Sequence, residues 1–207
     1  MLRSLAVGIA LIAACLVACG GKKGNPIAEL KKADGPIERQ QGEGAWAAVK
    51  VGQLYYIGDA ARTADAPAEL QITGGGATIT MQPHTVLRFG GKEGNSKIAV
   101  ELGAIDLAGN GLVGLDIGDV RLKSGRVRVT SKGEGAQLSL EMGDASVSTL
   151  KGETFDMVIG SIVDLNPGDV TVTSVPDAAV ADAAVDAPID AGATAPDVAT
   201  LVAEGKE

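Results

Sequence analysis

The residues of this chain that could take part in chemistry are few and scattered. The single histidine, His84, follows Pro83 in a short polar segment, and no cysteine stands near it. An isolated histidine in such a segment is more typical of a turn, where it bonds locally, than of a metal ligand or a general base. We therefore expect neither a metal ion nor a cofactor at His84.

Six carboxylates on predicted strands or their corners could pair in space, either as an acid–base couple or around a calcium ion. None of them belongs to an Asp-x-Asp-x-Asp loop or to a comparable ligand spacing. We therefore expect them on solvated faces of the fold. The six are Asp106, Asp116, Asp119, Glu141, Asp144 and Asp164.

Two short motifs resemble catalytic signatures only in part. Gly160-Ser161-Ile162 lacks the flanking pattern of a serine nucleophile elbow. Gly74-Gly75-Gly76 precedes a predicted strand instead of a helix, and it lacks the Lys-Ser/Thr pair of a phosphate-binding loop. The sequence thus predicts no catalytic residue and a protein that is not an enzyme.

The elements that must position these residues are predicted to be short β-strands. Apolar and polar residues alternate in Ala68–Ile72 and Ala77–Met81, and less cleanly in Thr85–Phe89. This period of two indicates strands with one buried face. The three glycines at 74–76 and the segment Gln82-Pro83-His84 are typical of the turns between them.

The same alternation continues towards residue 175, interrupted by glycines and by a predicted polar loop at 90–96. Trp46, the only tryptophan, is expected at the edge of the core, with ligand stacking as the alternative. Tyr55 and Tyr56 are adjacent on a strand, so their side chains point to opposite faces and one of them is expected in the core. Further strands are predicted at 98–102, 104–108, 113–117, 120–122, 126–130, 137–141, 145–150, 154–159, 162–165 and 170–175.

Two of these segments resemble each other. Val100–Leu107 and Leu140–Val147 both contain a strand, a Glu-apolar-Gly corner and a second strand. Short strands with glycine corners suit a chain that coils strand over strand, as in a β-helix or a prism. A β-sandwich built from hairpins is the competing architecture. The predicted fold class is all-β in either case.

The segment from Gly58 to Phe89 carries a specific pattern. It contains Gly-Asp-x-x-Arg-Thr, then Ala-Glu-Leu-x-Ile, a glycine-rich turn, Ile-x-Met and Pro-x-Thr-x-Leu-x-Phe. This pattern resembles the FecR domain, an all-β module of bacterial envelope proteins, and the resemblance extends over residues 47 to 173. It implies that Arg62 belongs to the fold, paired with Asp59 or capping a strand corner.

The N-terminal residues resemble a bacterial lipoprotein signal. Arg3 precedes an apolar stretch from Leu5 to Ala18, which is shorter than the roughly 20 residues of a membrane span. Leu16-Val17-Ala18-Cys19 resembles the lipobox, which implies cleavage before Cys19 and acylation of its thiol and amine. An ordinary signal peptide or a short uncleaved anchor is the alternative. Gly20, in place of the retention aspartate of enteric bacteria, favours the outer membrane, facing the periplasm.

Four segments are therefore predicted. Residues 1–18 are the signal peptide, and 19–45 are the lipidated Cys19 with a charged tether, in which Ile27–Lys32 could form a helical turn or two. Residues 46–175 are the β domain. Residues 176–207 contain seven acidic residues and one lysine among small apolar ones, a composition that predicts a disordered tail.

The net charge of −8 argues against a nucleic-acid partner, which requires a basic face. The expected function is that of a lipid-anchored envelope protein whose FecR-like domain binds or scaffolds a protein or peptidoglycan. The alternative is an extracytoplasmic sensor component in a sigma-factor signalling system. Founding members of the family also have a cytoplasmic segment and a spanning helix, whereas only Met1–Ser4 precede the apolar stretch here.

Overall fold

The computed structural model describes residues 24–167 and 169–173, and all regular secondary structure in this part of the chain is β. The predicted all-β class is confirmed. No helix able to cross a membrane occurs among these residues. The strands are β1 (Ala28–Ala33), β2 (Ile37–Gln41), β3 (Trp46–Ala48), β4 (Leu54–Tyr55), β5 (Asp59–Thr63), β6 (Ala68–Ile72), β7 (Gly76–Met81), β8 (Val86–Lys92), β9 (Asn95–Leu102), β10 (Ala104–Leu115), β11 (Gly118–Lys132), β12 (Gly135–Thr149), β13 (Thr154–Met157), β14 (Ile162–Asn166) and β15 (Asp169–Thr173).

Three long bent strands, β10, β11 and β12, connect two groups of shorter strands. Beside the start of β10, the sheet continues through β7, β6, β1 and β4, which we call the first layer. At the end of β10, Leu115 meets Ile98 of β9, and the sheet continues through β8, β5, β2 and β3, the second layer. This contact is the one parallel pairing among the described strands, and all fifteen strands belong to one open, hydrogen-bonded sheet.

The long strands bend together at a line of glycines, which we call the corner. Gly109 of β10 lies opposite Gly125 of β11, and Gly143 of β12 has a φ of +72°. A Cβ added at Gly143 would lie 2.3 Å from the carbonyl oxygen of Ser124, so only glycine fits this position. The predicted glycine corner is therefore present in β12.

An extra residue at the corner keeps the apolar side chains of β11 in the core. Val120 and Leu122 are buried before the bend, and Val127 and Val129 after it. The spacing of five between Leu122 and Val127 would reverse the faces of a regular strand, but a bulge at Ser124 restores them. The backbone N–H of that serine donates to Asn110 Oδ1 at 2.6 Å.

One hydrophobic core contains residues from both layers. The rings of Tyr55 on β4 and Phe89 on β8 join the layers, with their centroids 5.1 Å apart. Tyr55 is fully buried and Tyr56 is half-buried, as the opposite orientation of adjacent side chains on a strand predicts. Burial raises the pKa of the Tyr55 hydroxyl.

The predicted tether at 19–45 is wrong from residue 28 onward, because β1 and β2 belong to the fold. Ala28, Leu30 and Ile37 are buried in the core. The charged residues between them lie on the outer face, where Lys31 pairs with Glu29 at 2.8 Å. A bulge between Leu30 and Lys32 interrupts the period of two, and the helical turns expected there are a strand.

Two further boundaries differ from the prediction. The polar loop expected at 90–96 is a hairpin, since β8 continues to Lys92 and β9 begins at Asn95. The separate runs predicted between 104 and 150 join into β10, β11 and β12, because bulges carry the chain through the corner without ending the strand. The predicted signal peptide, Cys19 and the acidic tail lie outside the described residues.

Candidate functional site

The Gly-Asp-x-x-Arg-Thr motif includes β5, in which every residue except Arg62 is buried. Asp59, Ala61 and Thr63 are buried, and Ala61 belongs to the hydrophobic core. Arg62 lies on the opposite, outer face of this strand and is half-buried. One short motif therefore contributes both to the fold and to the outer surface.

Asp59 forms a buried ion pair with Arg39 of β2. Its Oδ2 accepts hydrogen bonds from Arg39 Nη2 at 2.6 Å and from the backbone N–H of Tyr56 at 2.8 Å. The expected pairing of Asp59 with Arg62 is wrong. Residues three apart in a strand lie on opposite faces, so Arg62 cannot reach an inward-pointing Asp59.

Thr63 has a structural role at the end of the same motif. Its hydroxyl donates to the carbonyl oxygen of Gln82 at 2.6 Å and accepts from the backbone N–H of Thr85 at 3.0 Å. Both bonds fasten β5 to the turn at Gln82-Pro83-His84. The hydroxyl is therefore engaged both as a donor and as an acceptor.

On the outer face, Arg62 lies between two partners on neighbouring strands. Its Nε–H donates to Glu38 Oε2 at 2.5 Å, and its guanidinium lies 4.5 Å from the centroid of the Trp46 ring. Trp46, on the edge strand β3, is half-buried and packs against the Arg62 guanidinium. The stacked arrangement fixes the position of the guanidinium.

Beside Arg62 lies an open groove of about 490 Å³ at one end of the second layer. Val86 and Leu102 give it an apolar side, and the Leu102 side chain is 58% exposed. The groove is lined by Pro36, Glu38, Arg62, Thr63, Ala64, His84, Val86 and Leu102. Its size is within the usual range for ligand sites, and we call it the Arg62 groove.

Arg62 retains hydrogen-bonding capacity in this groove. A guanidinium has five N–H donors, and in the described part of the chain Arg62 uses only the Nε–H. The side chain is 42% exposed. The four terminal N–H groups can therefore donate to a carboxylate or a carbonyl oxygen entering the groove.

His84 stands at the rim of the groove in a turn, as expected. Its φ is +57°, and its backbone N–H donates to Ala64 O at 2.8 Å. The imidazole Nε2 lies 3.3 Å from Asp65 Oδ1, with both side chains largely exposed. Within the described ranges, no group of three or more His, Cys, Asp or Glu side chains could hold a metal ion.

The predicted carboxylates do not converge on one centre. Asp106 Oδ1 accepts from Arg128 Nε at 2.8 Å, and Glu141 lies 3.4 Å from the same nitrogen. Asp119 pairs with Lys97 on the second layer. Asp164 accepts from Gln137 Nε2 at 3.0 Å, and Asp144 is exposed at the corner. Burial raises the pKa of Asp116.

Sequence reasoning missed the part of the groove that precedes residue 46. Pro36 and Glu38 were assigned to a tether, although Ile37-Glu38-Arg39-Gln40 continues into a strand. Ile37 is buried and Glu38 points outward, which places the carboxylate beside Arg62. β2 could have been found from the requirement that β5 pairs with another strand, since an isolated strand leaves its backbone N–H and C=O groups unpaired.

No known family profile matches this chain, and no curated protein matches it. Among solved structures, it is similar to two crystal structures of a candidate anti-sigma factor from Parabacteroides distasonis. The first has 12% identity and a TM-score of 0.41, over 55% of this chain and 57% of that chain. The second has 13% identity and a TM-score of 0.39, over 54% of this chain and 58% of that chain.

Proposed function

We propose that this protein is a non-enzymatic, lipid-anchored binding protein of the bacterial envelope, with a FecR-like domain. The Arg62 groove takes a short extended peptide that carries a carboxylate. Such a peptide can come from an envelope protein or from the stem of peptidoglycan. Acylated Cys19 holds the domain at the outer membrane, facing the periplasm, and no cofactor or metal takes part.

The observation that carries this proposal is the combination of unused donors and exposed apolar surface in one groove. Arg62 is held by Glu38 and Trp46, yet its terminal N–H groups have no protein acceptor among the described residues. Leu102 and Val86 provide an apolar contact beside it. A fixed cation next to apolar surface suits a peptide carboxylate whose neighbouring side chain is apolar.

The groove is tested by binding of the whole chain to purified peptidoglycan and to detergent-solubilised envelope proteins. Arg62→Gln and Leu102→Asp are expected to lower capture at least ten-fold. Arg88→Gln is the matched control, because Arg88 lies on the same outer face and pairs with Glu101 but does not line the groove. Equal capture by all four proteins would overturn the proposal.

The identity of the captured partner separates the two functions. Arg62-dependent retention on peptidoglycan, or on a structural envelope protein, supports a scaffold. Arg62-dependent capture of a membrane receptor or a transducer protein supports the sensor alternative instead. Capture that does not depend on Arg62 counts against both.

The anchor has its own test. Replacing Cys19 with Ser removes the thiol that would be acylated, so the protein is expected to leave the membrane fraction. Labelling with a radioactive fatty acid should disappear in the same variant. Unchanged labelling would refute the assignment of Cys19.

A further inference from the structure

Exposed apolar side chains gather at the corner of the long strands. Four of the nine large hydrophobic residues that are exposed in the described part of the chain lie there. Ala145 of β12 lies opposite Met157 of β13, and the backbone N–H of Gly160 donates to the carbonyl oxygen of Leu140. These two contacts place the β13–β14 loop beside the bend of β12. The four are Leu112, Met142, Val158 and Ile159, exposed by 52%, 54%, 70% and 63%.

Three cations of β11 lie beside these apolar side chains, two of them opposite apolar residues of the neighbouring strands. Arg121 lies opposite Leu112, and Arg126 lies opposite Met142, each as a cross-strand neighbour, with Lys123 between them. All three cations are exposed, and none forms an ion pair within the described ranges. Nearby acidic groups limit the local excess of positive charge. Asp144 and Asp156 line a shallow cleft with Lys123.

The bulge at Ser124 is what brings the cations onto one surface. It shifts the alternation of β11 by one residue, so Arg121 and Lys123 before the bend and Arg126 after it all point away from the core. We call this surface, with its three cations and four apolar side chains, the corner ridge. Such a combination is typical of a surface that contacts lipid headgroups, where apolar side chains enter the interface and cations meet anionic lipids.

We propose that the corner ridge lies against an anionic bilayer surface. The chain enters the fold on the same side. Ala28 at the start of β1 lies opposite Ile72 at the end of β6, and Gly76 at the start of β7 lies opposite Asn110, which in turn lies opposite Lys123. Because β6, β7 and β10 lie between β1 and β11, four strand-to-strand spacings separate these two strands, which corresponds to about 19 Å.

The distance to the anchor agrees with this orientation. Cys19 precedes the first described residue, Gly24, by five residues, and five extended residues span at most about 17 Å. An acylated Cys19 would therefore hold this side of the domain close to the bilayer. The orientation rests on the lipid anchor proposed above, whereas the affinity of the corner ridge for lipid can be measured without it.

The experiment uses residues 19–207 with Cys19→Ser, which retain every residue of the described core and carry no lipid. Binding is measured by co-sedimentation with vesicles of phosphatidylcholine, alone or with one third phosphatidylglycerol. The matched pair of variants is Lys123→Gln/Arg126→Gln on the corner ridge and Lys50→Gln/Lys132→Gln away from it. All four positions are exposed, so the variants are expected to fold, and circular dichroism checks this.

We expect the unlipidated chain to prefer the anionic vesicles, and this preference to fall roughly 25-fold in the corner-ridge variant, about five-fold per cation. The control variant should lose far less. Ile159→Ser should weaken binding to both kinds of vesicle.

Three results would overturn the proposal. The first is equal binding by the corner-ridge and control variants. The second is no preference for anionic vesicles. The third is binding that begins only after residues 176–207 are removed, because the acidic tail would then be the occupant of the corner ridge. Failure of the anchor would show instead as unchanged fatty-acid labelling of the Cys19→Ser chain in cells.

Discussion

Replacing Asp59 with Ala should destabilise the fold far more than any change on the outer face of the same strand. The Asp59 side chain is 3% exposed and its partner Arg39 is 12% exposed. The substitution removes the acceptor of the 2.6 Å ion-pair bond and leaves a buried guanidinium without a counter-charge. It also leaves the backbone N–H of Tyr56 without its 2.8 Å acceptor.

The size of the effect follows from these contacts. Breaking a buried ion pair by removing one partner costs roughly 3–5 kcal/mol. For a chain of this length, each kcal/mol lowers the melting temperature by roughly 2–4 °C, so a decrease of about 10 °C is expected. Urea unfolding followed by the fluorescence of Trp46, with circular dichroism as a second probe, measures the free energy of unfolding.

Two comparisons make the result interpretable. Glu38→Gln breaks the half-exposed pair with Arg62, which should cost less than about 1 kcal/mol. Arg39→Met combined with Asp59→Ala should recover at least half of the loss, because no unpaired charge then remains buried. A loss below 1 kcal/mol for Asp59→Ala, or no recovery in the double variant, would refute the reasoning.

Three further changes test the corner, the core and the titrating groups. Gly143→Ala should cost roughly 1–3 kcal/mol, because the residue has a positive φ and a Cβ would meet the Ser124 carbonyl, whereas Gly90→Ala, with open space around it, should change little. Tyr55→Phe should leave the free energy of unfolding unchanged or raise it by about 1 kcal/mol, since the buried hydroxyl has no hydrogen-bond partner in the described structure. Partial desolvation raises the pKa of Asp116 in the fold, although the residue is exposed at the surface, so solvent screening keeps the cost of its ionisation small. Asp116→Asn should therefore stabilise the protein only slightly at pH 7, and unfolding measured over a pH series should show this small gain disappear as the pH falls below about 4, where the unfolded chain is also protonated.

The sequence predicted the strands wherever one residue type occupied each face. β6 begins and ends at the predicted residues, and β7 differs by one. Prediction failed in β1, because a bulge between Leu30 and Lys32 places two exposed lysines in succession and breaks the period of two. The continuous β11 was also not predicted, because its bulge breaks the period of two at Ser124.

The candidate site was harder to predict from the sequence than the fold, for a physical reason. Arg62 was recognised within the motif, but its partners lie on strands that only the folded sheet brings beside it: Glu38 on β2, which pairs with β5, and Trp46 on β3, which pairs with β2. Pairing register cannot be read from one strand alone, and a shift by one residue would reverse which side chains face out. The resemblance-based pairing of Arg62 with Asp59 failed because it ignored this alternation.

Because the side chains of Asp59 and Thr63 point inward from β5 and that of Arg62 points outward, substitutions in this strand can separate effects on the fold from effects on binding. The inward side chains, Asp59 and Thr63, hold β2 and the turn after β7, so their substitution acts on stability. The outward Arg62 donates to Glu38 and packs on the Trp46 ring at the surface, so its substitution acts on the groove. If a substitution of Arg62 abolishes binding without lowering the free energy of unfolding, the loss is attributable to the groove. If a substitution of Asp59 abolishes binding, the loss must be compared with the change in the stability of the whole domain.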